Sequence, residues 1–316
     1  MEKMKNNLFI MAGAMIAALS LGACSNEDDT HGVDLSKPIS LSFQPAAVVT
    51  KATVGVDNAS FEAGDEIGVY VSSSALASAE YCNVKFTSAG GSWTATDMFW
   101  PSGKDTYDIT AYYPFAGTEN TAAATLAVSV PDNQSGDGYS NADYLWTKKA
   151  TVQPTNANIP LTLDHKMSLL KLNMAEGNGI SLAEVAAMTP AILGEVPAKG
   201  TWDLATGSIT PDTEGEKHSS IRPYMDYDSG TGTLTYYALV MPGTTYAQNQ
   251  RFLTLTGTDG TVFYYELNIE GGITAGAGTY VDLNLTVNRT GISLSSFTVG
   301  DWKPSDVSGS GTVTME

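Results

Sequence analysis

Apolar residues stand at every second position in many short runs of this chain, and that period of two constrains the fold most. Residues 39–43 alternate Ile, Leu and Phe with Ser, so an extended strand would carry the apolar side chains on one face. Comparable runs, bounded by turn residues, occupy residues 67–71, 107–113, 125–130, 159–163, 234–241, 252–256, 262–269, 280–287, 292–299 and 312–315. Many short strands at this spacing predict an all-β fold with antiparallel sheets, arranged as a sandwich or barrel.

Residues 181–188 have a local preference for helix. Ser181 suits a helix N-cap, the following residues are rich in Ala, and Pro190 would end the helix. Tertiary contacts could equally draw this segment into a strand, so the sequence leaves both structures open.

The N-terminus is typical of a targeting segment that is removed from the mature protein. Lys3 and Lys5 supply positive charge, and residues 8–19 are almost wholly apolar. A membrane-spanning helix needs roughly 20 apolar residues, so this shorter run fits a signal peptide better. The end of the run, Leu21-Gly22-Ala23-Cys24, resembles the lipobox of bacterial lipoproteins, in which the Cys thiol receives a diacylglyceryl group. We therefore predict a lipoprotein signal peptide at 1–23 and lipidation of Cys24; the alternative is an ordinary secretory signal with a chance Cys.

Residues 24–38 are predicted to form an acidic, flexible linker. Its start, Ser-Asn-Glu-Asp-Asp at 25–29, resembles the export signal that sends some lipoproteins of Gram-negative anaerobes to the outer face of the outer membrane. The alternative is a solvated linker whose charges have no such role. With Cys24 acylated, only Cys82 remains, so the mature chain has no intramolecular disulfide and its stability must come from packed cores.

Charge and missing motifs exclude several classes of function. The chain has 34 Asp and Glu against 16 Lys and Arg, a formal net charge of −18, which repels nucleic acid. It has no nucleophile elbow, zinc-protease motif, P-loop or dinucleotide fingerprint, so we expect no enzyme, cofactor or metal. His165 is interpreted as a hydrogen-bonded structural residue. The Asp-rich stretch 132–143 is interpreted as a polar surface loop, since its spacing does not match an EF-hand.

The Gly64-Asp65 pair and four tryptophans can be interpreted from their physical properties alone. Gly64 tolerates the positive φ of a turn, and the side chain of Asp65 can hydrogen-bond the backbone just beyond it. Large aromatic residues dominate burial, which predicts sandwich-core or rim positions, with a sugar-stacking platform as the alternative; they are Trp100, Trp146, Trp202 and Trp302.

A series of short motifs runs in order from residue 61 to the C-terminus. The series comprises Phe61-x-x-Gly64-Asp65-x-Ile67-Gly68-Val69-Tyr70, Trp100-Pro101, Ala111-Tyr112-Tyr113-Pro114, Pro131-x-x-Gln134, Asp143-x-Leu145, His165-x-x-Ser168, Gly200-Thr201-Trp202-Asp203, Leu239-Val240-Met241-Pro242 and Gly300-Asp301-Trp302. In order and spacing it resembles the Mfa-like branch of the fimbrillin family, whose members form or decorate type V pili. The resemblance implies two transthyretin-like β-sandwich domains and a structural role in surface fibres. We place the boundary at the change of strand groups near residues 163–171, which gives an N-terminal domain at 39–164 and a C-terminal domain at 165–316.

The resemblance also implies proteolytic processing. In the fimbrillin family a trypsin-like protease cuts after a basic residue and releases the first strand, which opens a groove for a neighbour's C-terminal strand. Residues 39–49 resemble that removable strand, and Lys51-Ala52 stands at the corresponding place. Many relatives have Arg there, and the alternative is an ordinary surface Lys on a strand that is never removed. Lys37 is the only other basic residue between the lipobox and the first motif.

The candidate donor strand is the C-terminal segment. Its apolar side chains would fill successive pockets of a neighbour, with either Phe297 or Val299 in third place; the candidates are Ile292, Leu294, Phe297, Val299, Val313 and Met315. The alternative is that these residues complete their own domain.

The expected partners are other fimbrial subunits, the outer membrane through the lipid, and host or bacterial receptors or glycans. A stalk subunit, an anchor and a tip adhesin would share these features. The second class of function is a glycan-binding surface lipoprotein that captures polysaccharide. It would need exposed aromatic residues such as Trp93 or Tyr139 as a stacking face.

Overall fold

The computed structural model describes residues 32–46 and 60–302, together with the backbone of residues 312–313. Cys24, Lys51, Ala52 and Met315 lie outside the described residues. From Val33 onward the described residues belong to one compact unit.

The first half of the chain contributes eight strands and one short helix. The strands are β1 (Leu41–Pro45), β2 (Glu66–Ser72), β3 (Tyr81–Ser88), β4 (Trp93–Thr94), β5 (Tyr107–Tyr113), β6 (Thr125–Ser129), β7 (Leu145–Val152) and β8 (Ile159–His165). All of them except β6 form one seven-stranded sheet in the order β1-β8-β7-β5-β2-β3-β4. A 3₁₀ turn at Leu76–Ser78 follows β2, and α1 (Asp137–Ser140) precedes β7.

The regular secondary structure described in the second half of the chain is also almost entirely strand. Its strands are β9 (Ser168–Glu176), β10 (Thr189–Pro197), β11 (Lys199–Asp203), β12 (Ser208–Pro211), β13 (Lys217–Ile221), β14 (Tyr224–Asp228), β15 (Thr233–Val240), β16 (Thr245–Tyr246), β17 (Arg251–Thr256), β18 (Val262–Glu266), β19 (Ile273–Thr274), β20 (Thr279–Asn288), β21 (Gly291–Asp301) and β22 (Thr312–Val313). Two larger sheets have the orders β14-β15-β9-β20-β21-β22 and β13-β10-β17-β18. The smaller sheets are β12-β11-β6 and β16-β19.

The all-β fold predicted from the alternating runs is confirmed. Its apolar side chains pack into two core clusters. One cluster is drawn entirely from residues 39–163. The other is drawn mainly from residues 167–302 and also takes side chains of the first half, including Tyr112 and Tyr144. The domain boundary near residue 164 stays a prediction.

Segment 181–188 forms a helix rather than a strand. The helix α2 spans Leu182–Ala186, and Ser181 is its N-cap. The Ser181 hydroxyl accepts a bond from the Glu184 backbone N–H, and the Glu184 carboxylate accepts one from the Ser181 backbone N–H. This capping box satisfies two backbone donors that a helix start otherwise leaves without partners. Along the described part of the chain, no helix is long and apolar enough to span a membrane.

The segment between β6 and β7 joins the two halves. Strand β6 pairs antiparallel with β11, so a first-half strand lies in a sheet of second-half strands. Further on, the Gln134 side chain is fully buried and bonds to the backbone of β15 as a neighbouring strand would. Its amide N–H₂ donates to the Leu239 carbonyl at 2.7 Å, and its oxygen accepts from the Leu239 N–H at 2.7 Å. These bonds fix the first half against β15.

Candidate assembly site at the first and last strands

Strand β1 is held as a single edge strand. It pairs parallel with β8, from Leu41 opposite Ile159 to Pro45 opposite Leu163. Among the described residues no strand pairs with its other side. Parallel pairing is slightly less stable per residue than antiparallel pairing, and Pro45 suits an edge because it has no N–H to offer a further strand. Strand β1 is therefore attached to the sheet by one ladder, as is the two-residue strand β4 at the opposite edge.

The inner face of β1 is apolar and fully packed. Buried side chains on this face are those of Ile39, which precedes the strand, Leu41 and Phe43. On the opposite face, Ser40 and Gln44 are exposed. The Phe43 ring lies edge-on to Phe86 and Trp93, with centroids 5.2 and 4.9 Å apart. Removing β1 would uncover this part of the core as an apolar groove, because its three side chains belong to the same cluster as Leu161.

Backbone and side-chain hydrogen bonds hold both ends of β1. The Ile39 N–H donates to the Met98 carbonyl at 2.7 Å, and the Ala46 N–H donates to the Leu163 carbonyl at 2.8 Å. On the exposed face, the Gln44 amide donates to the Thr162 hydroxyl at 3.0 Å. These are ordinary exposed or edge bonds, each contributing about 1 kcal/mol, so the apolar face dominates the attachment of the strand.

The turn at Gly64-Asp65 lies beside the end of β1, where Asp65 and Pro45 line the same cleft. Gly64 has φ +99°, as the sequence predicts. The Asp65 carboxylate bonds backward rather than forward, accepting from the Glu62 N–H at 2.7 Å and from the Tyr113 hydroxyl at 3.1 Å. Burial and the Asp65 carboxylate raise the pKa of Tyr113 above its ordinary value. The turn thus ties the start of β2 to the end of β5.

His165, the last residue of β8, contacts the residue that follows β1 and the residue that follows β21. Its ring is almost fully buried, with Nδ1 2.8 Å from Asp143 Oδ1 and Nε2 3.2 Å from the carbonyl oxygen of Ala46. Its face stacks on Trp302, with ring centroids 3.7 Å apart and planes inclined by 6°. We call these four residues the His165 junction. The sequence predicts a structural, hydrogen-bonded histidine here, and the structure gives it this set of partners.

The apolar candidates of the donor strand lie in β21. This strand pairs with β20 along its whole length, and a bulge separates the pairs Leu285–Leu294 and Asn284–Ser296. Because of the bulge, four candidates lie opposite inward-facing residues of β20 that are buried and so share one face; they are Ile292, Leu294, Phe297 and Val299. Phe297 and Val299 are therefore not alternatives. In this structure β21 completes the chain's own sheet, which is the second of the two readings of the sequence.

The remaining candidates are placed only in part. The backbone of Val313 pairs with that of Phe297 in the short antiparallel contact of β21 with β22. Met315, Cys24, Lys51 and Ala52 lie outside the described residues, so their roles stay predictions.

The aromatic residues do not form the exposed stacking face that a glycan-binding function needs. Tyr139 is only 5% exposed and packs against Tyr224 and Tyr237. Trp93 is half-buried between Phe43 and Phe61. Three of the four motif tryptophans are buried and Trp146 is half-buried, in agreement with core and rim positions. Tyr139 is therefore too buried to stack on a sugar, Trp93 is only partly covered, and the glycan-binding alternative stays a prediction.

The stretch 132–143 is more ordered and more buried than the predicted polar loop. Gln134 and Asp143 are buried and bonded within the protein, and residues 137–140 form α1. Within the described ranges, no group of three or more His, Cys, Asp and Glu is arranged to hold a metal ion. Sequence reasoning missed Gln134 as a link between the halves and Asp143 as the partner of His165. The only signal for either residue was its place in the motif series.

Comparison with known proteins supports the fold. A solved structure from Bacteroides uniformis, described as a candidate cell adhesion protein, is 23% identical, covers 84% of this chain and 99% of its own, and has a TM-score of 0.63. A structure with the same description from Bacteroides ovatus is 19% identical, covers 85% of this chain and 99% of its own, and has a TM-score of 0.62. No curated protein sequence matches the chain significantly.

The fold and the site define a class of all-β proteins in which a separate first strand closes the edge of a sheet. A family model described as fimbrillin-like matches residues 50–302, well over half of the chain. The chain belongs to the fimbrillin-like family.

Proposed function

We propose that this protein is a structural subunit of a cell-surface fimbria and that its subunits join by strand exchange. The observation that carries the proposal is the attachment of β1. It has one parallel ladder on one side and, in the described part of the chain, no strand on the other, and Leu41 and Phe43 are buried together with Ile39 just before the strand. An extended segment from a neighbour could take its place, with main-chain bonds supplying affinity and the vacated apolar sites supplying specificity.

The donor in this proposal is the C-terminal segment of the neighbouring subunit. Ile292, Leu294, Phe297 and Val299 share one face of β21, and Val299 is 45% exposed. The adjoining tail contributes Val313 and Met315 at alternate positions. A run of apolar side chains on one face of an extended segment is the pattern that a groove left by β1 would accept.

Processing would decide the position of the subunit. Cleavage after Lys51 would separate β1 and the lipid on Cys24 from the rest of the chain, leaving a subunit that can polymerise. An uncut chain would stay on the outer membrane through its lipid as an anchor or capping subunit. Its partners would be other fimbrial subunits, and an adhesive role would add host or bacterial receptors or glycans.

The N-terminus of the protein on the cell surface tests the processing step. We expect mass spectrometry of surface-purified protein to find a chain beginning at Ala52. A chain beginning at an acylated Cys24 would instead identify a membrane anchor or a lipoprotein outside the fimbria.

Assembly itself is tested with the purified full chain and a trypsin-like protease. We expect the wild-type chain and Lys37→Ala to form fibres after treatment, seen by electron microscopy, and Lys51→Ala to stay monomeric. Lys37→Ala is the matched control because it removes the other basic residue before the first motif. Fibres from Lys51→Ala, or a cut wild-type chain that stays monomeric, would refute cleavage-dependent strand exchange.

The donor segment is tested at its tail, so that β21 is left intact. Val313→Asp together with Met315→Asp places charge in two proposed pockets, and we expect loss of fibres without a change in monomer folding. Ser308→Asp together with Ser310→Asp adds the same charge at polar positions of the same tail and should leave fibre yield unchanged. Equal yields from the two double variants would remove the tail from the donor.

A further inference from the structure

The His165 junction joins two segments that are far apart in sequence. Ala46 ends the described part of the first strand, and Trp302 follows the last residue of β21. His165 lies between them, 119 residues from Ala46, and is 1% exposed. A titratable side chain buried at the meeting point of the first and last strands calls for a reason beyond packing.

Both ring nitrogens of His165 have hydrogen-bond partners. Nδ1 lies 2.8 Å from Asp143 Oδ1, and Nε2 lies 3.2 Å from the Ala46 carbonyl oxygen. A carbonyl oxygen can only accept, so Nε2 donates to Ala46. A buried polar ring depends on both partners, because water does not reach it to replace one.

The face of the ring holds the start of the C-terminal tail. Trp302 is 1% exposed, and its ring stacks on the imidazole ring of His165. The Trp302 N–H also donates to the Gly278 carbonyl at 2.7 Å, and the Gly278 N–H donates to the Met167 carbonyl at 3.0 Å. Trp302 thus closes β21 against the turn before β20 and against His165.

We infer that His165 couples the presence of β1 to the closure of Trp302 at the end of β21. Withdrawal of β1 removes the Ala46 carbonyl and leaves the Nε2 donor of the buried ring without its acceptor. An unpaired buried donor is unfavourable, so the ring turns toward another acceptor, and that movement weakens its stack on Trp302. The inference rests on the proposed strand exchange for its use: a subunit that has lost its first strand would loosen its own donor segment. By linkage, release of Trp302 must loosen β1 to the same degree.

The coupling is tested by hydrogen exchange on the uncut full chain. Leu41→Ala weakens the packing of β1, because the Leu41 side chain is buried in the core. Leu41 is the first residue of β1, at the opposite end of the strand from Ala46, and it is not part of the His165 junction. The amide of Ala46 reports on β1, and the amide of Trp302 reports on the end of β21, because each is donated to a carbonyl of the protein. We expect Leu41→Ala to speed exchange at both amides, at Trp302 by about fivefold or more.

A variant of the junction supplies the comparison. In a chain carrying His165→Phe and Asp143→Asn, an aromatic ring is kept against Trp302 but the bond to Ala46 is lost. We expect Leu41→Ala to speed exchange at Ala46 but not at Trp302 in this background. Should the pair of substitutions prevent folding, His165→Gln takes its place: its amide can still donate to Ala46 but offers no ring, and Trp302 should again fail to respond to Leu41→Ala.

Val84→Ala separates coupling from general loosening. Val84 is buried in the same core cluster as Leu41 but lies in β3. Val84→Ala should therefore leave the ratio of the exchange rate at Trp302 to the exchange rate at Ala46 as it is in the wild type. The inference is overturned if Leu41→Ala speeds Ala46 alone in the wild-type background, or if Trp302 responds equally with and without His165. Neither result depends on fibre formation. A chain that shows the coupled exchange but forms no fibres would refute strand exchange and leave the coupling standing.

Discussion

At the scale of single residues, motifs that lie far apart in the sequence contact one another. Gly68 of the first motif lies opposite Tyr112 in the pairing of β2 with β5. The Tyr112 ring in turn stands edge-on to Trp202, with centroids 5.5 Å apart, and its hydroxyl is 2.8 Å from Asn83 Oδ1. A glycine is needed at position 68 because the ring lies over the backbone where a side chain would be.

Gly68→Ala should therefore destabilise the protein. A Cβ at this position would lie 2.5 Å from Tyr112 Cζ and 2.6 Å from Asn83 Oδ1, and overpacking of this kind costs about 1–3 kcal/mol of unfolding free energy. Urea unfolding followed by circular dichroism measures the loss. Gly230→Ala is the control, since its nearest neighbour is Asp228 Oδ1 at 3.2 Å, and it should stay within about 0.5 kcal/mol of wild type. Equal midpoints for the two variants would contradict this role of Gly68.

At the scale of elements, the sequence predicts strands whose residues alternate with a period of two and misses several others. The runs at 107–113 and 280–287 alternate and became β5 and most of β20. Strand β9 was missed because it lies between β15 and β20, where consecutive residues such as Leu169 and Leu170 are both buried and no period of two survives. The outer strands β13 and β14 were missed for the opposite reason, because their sequences are mostly polar.

Helix α2 carries a pH-dependent contribution to stability. Bonds from the Ser181 backbone and hydroxyl, and then the charge of Arg289, hold the pKa of Glu184 below its ordinary value of 4.5. A carboxyl group with a depressed pKa in the folded state stabilises it above the unfolded pKa and loses that contribution as the pH falls through the folded pKa. Glu184→Gln keeps a bond acceptor for Ser181 but cannot ionise. We expect it to be less stable than wild type at pH 7 and the gap to narrow at pH 3.

Urea midpoints of both proteins at the two pH values measure that gap. Arg289→Ala is the companion variant: because the Ser181 bonds are the larger cause of the shift, most of the pH dependence should survive in it. A gap between Glu184→Gln and wild type that widens toward pH 3 would reverse the assigned sign.

At the scale of the whole molecule, the sequence predicts the apolar faces of β1 and β21 better than the His165 junction that lies between these strands. The alternating residues of β1 and β21 are visible as local patterns, and their apolar faces follow from spacing alone. The bulge that places Phe297 and Val299 on the same face as Ile292 and Leu294 has no such signal. Neither has the contact of His165 with Ala46 and Trp302, since it is made by tertiary packing across more than a hundred residues.

The net charge of the molecule should govern the rate of assembly. From residue 52 on, the chain has 29 Asp and Glu against 12 Lys and Arg. Cut copies with a formal charge of −17 therefore repel one another, and the Debye length falls from about 30 Å at 0.01 M salt to about 8 Å at 0.15 M. We expect fibre growth from the cut chain, followed by light scattering, to become several-fold faster over this range. Sucrose at the same osmolality should have no such effect. Slower growth in salt would mean that attraction between opposite charges, rather than apolar contact, brings subunits together.

The direction of β1 has a consequence for the energy of polymer growth. Its ladder to β8 is parallel, with slanted bonds. A replacing strand that entered from the opposite end would make perpendicular, better aligned bonds to the same β8 groups and bury a comparable apolar face. Exchange would then run downhill without any fuel such as a nucleotide, and each added subunit would be harder to remove than the segment it displaced. Elongation outside a cell, where no ATP is at hand, requires a one-way step of this kind.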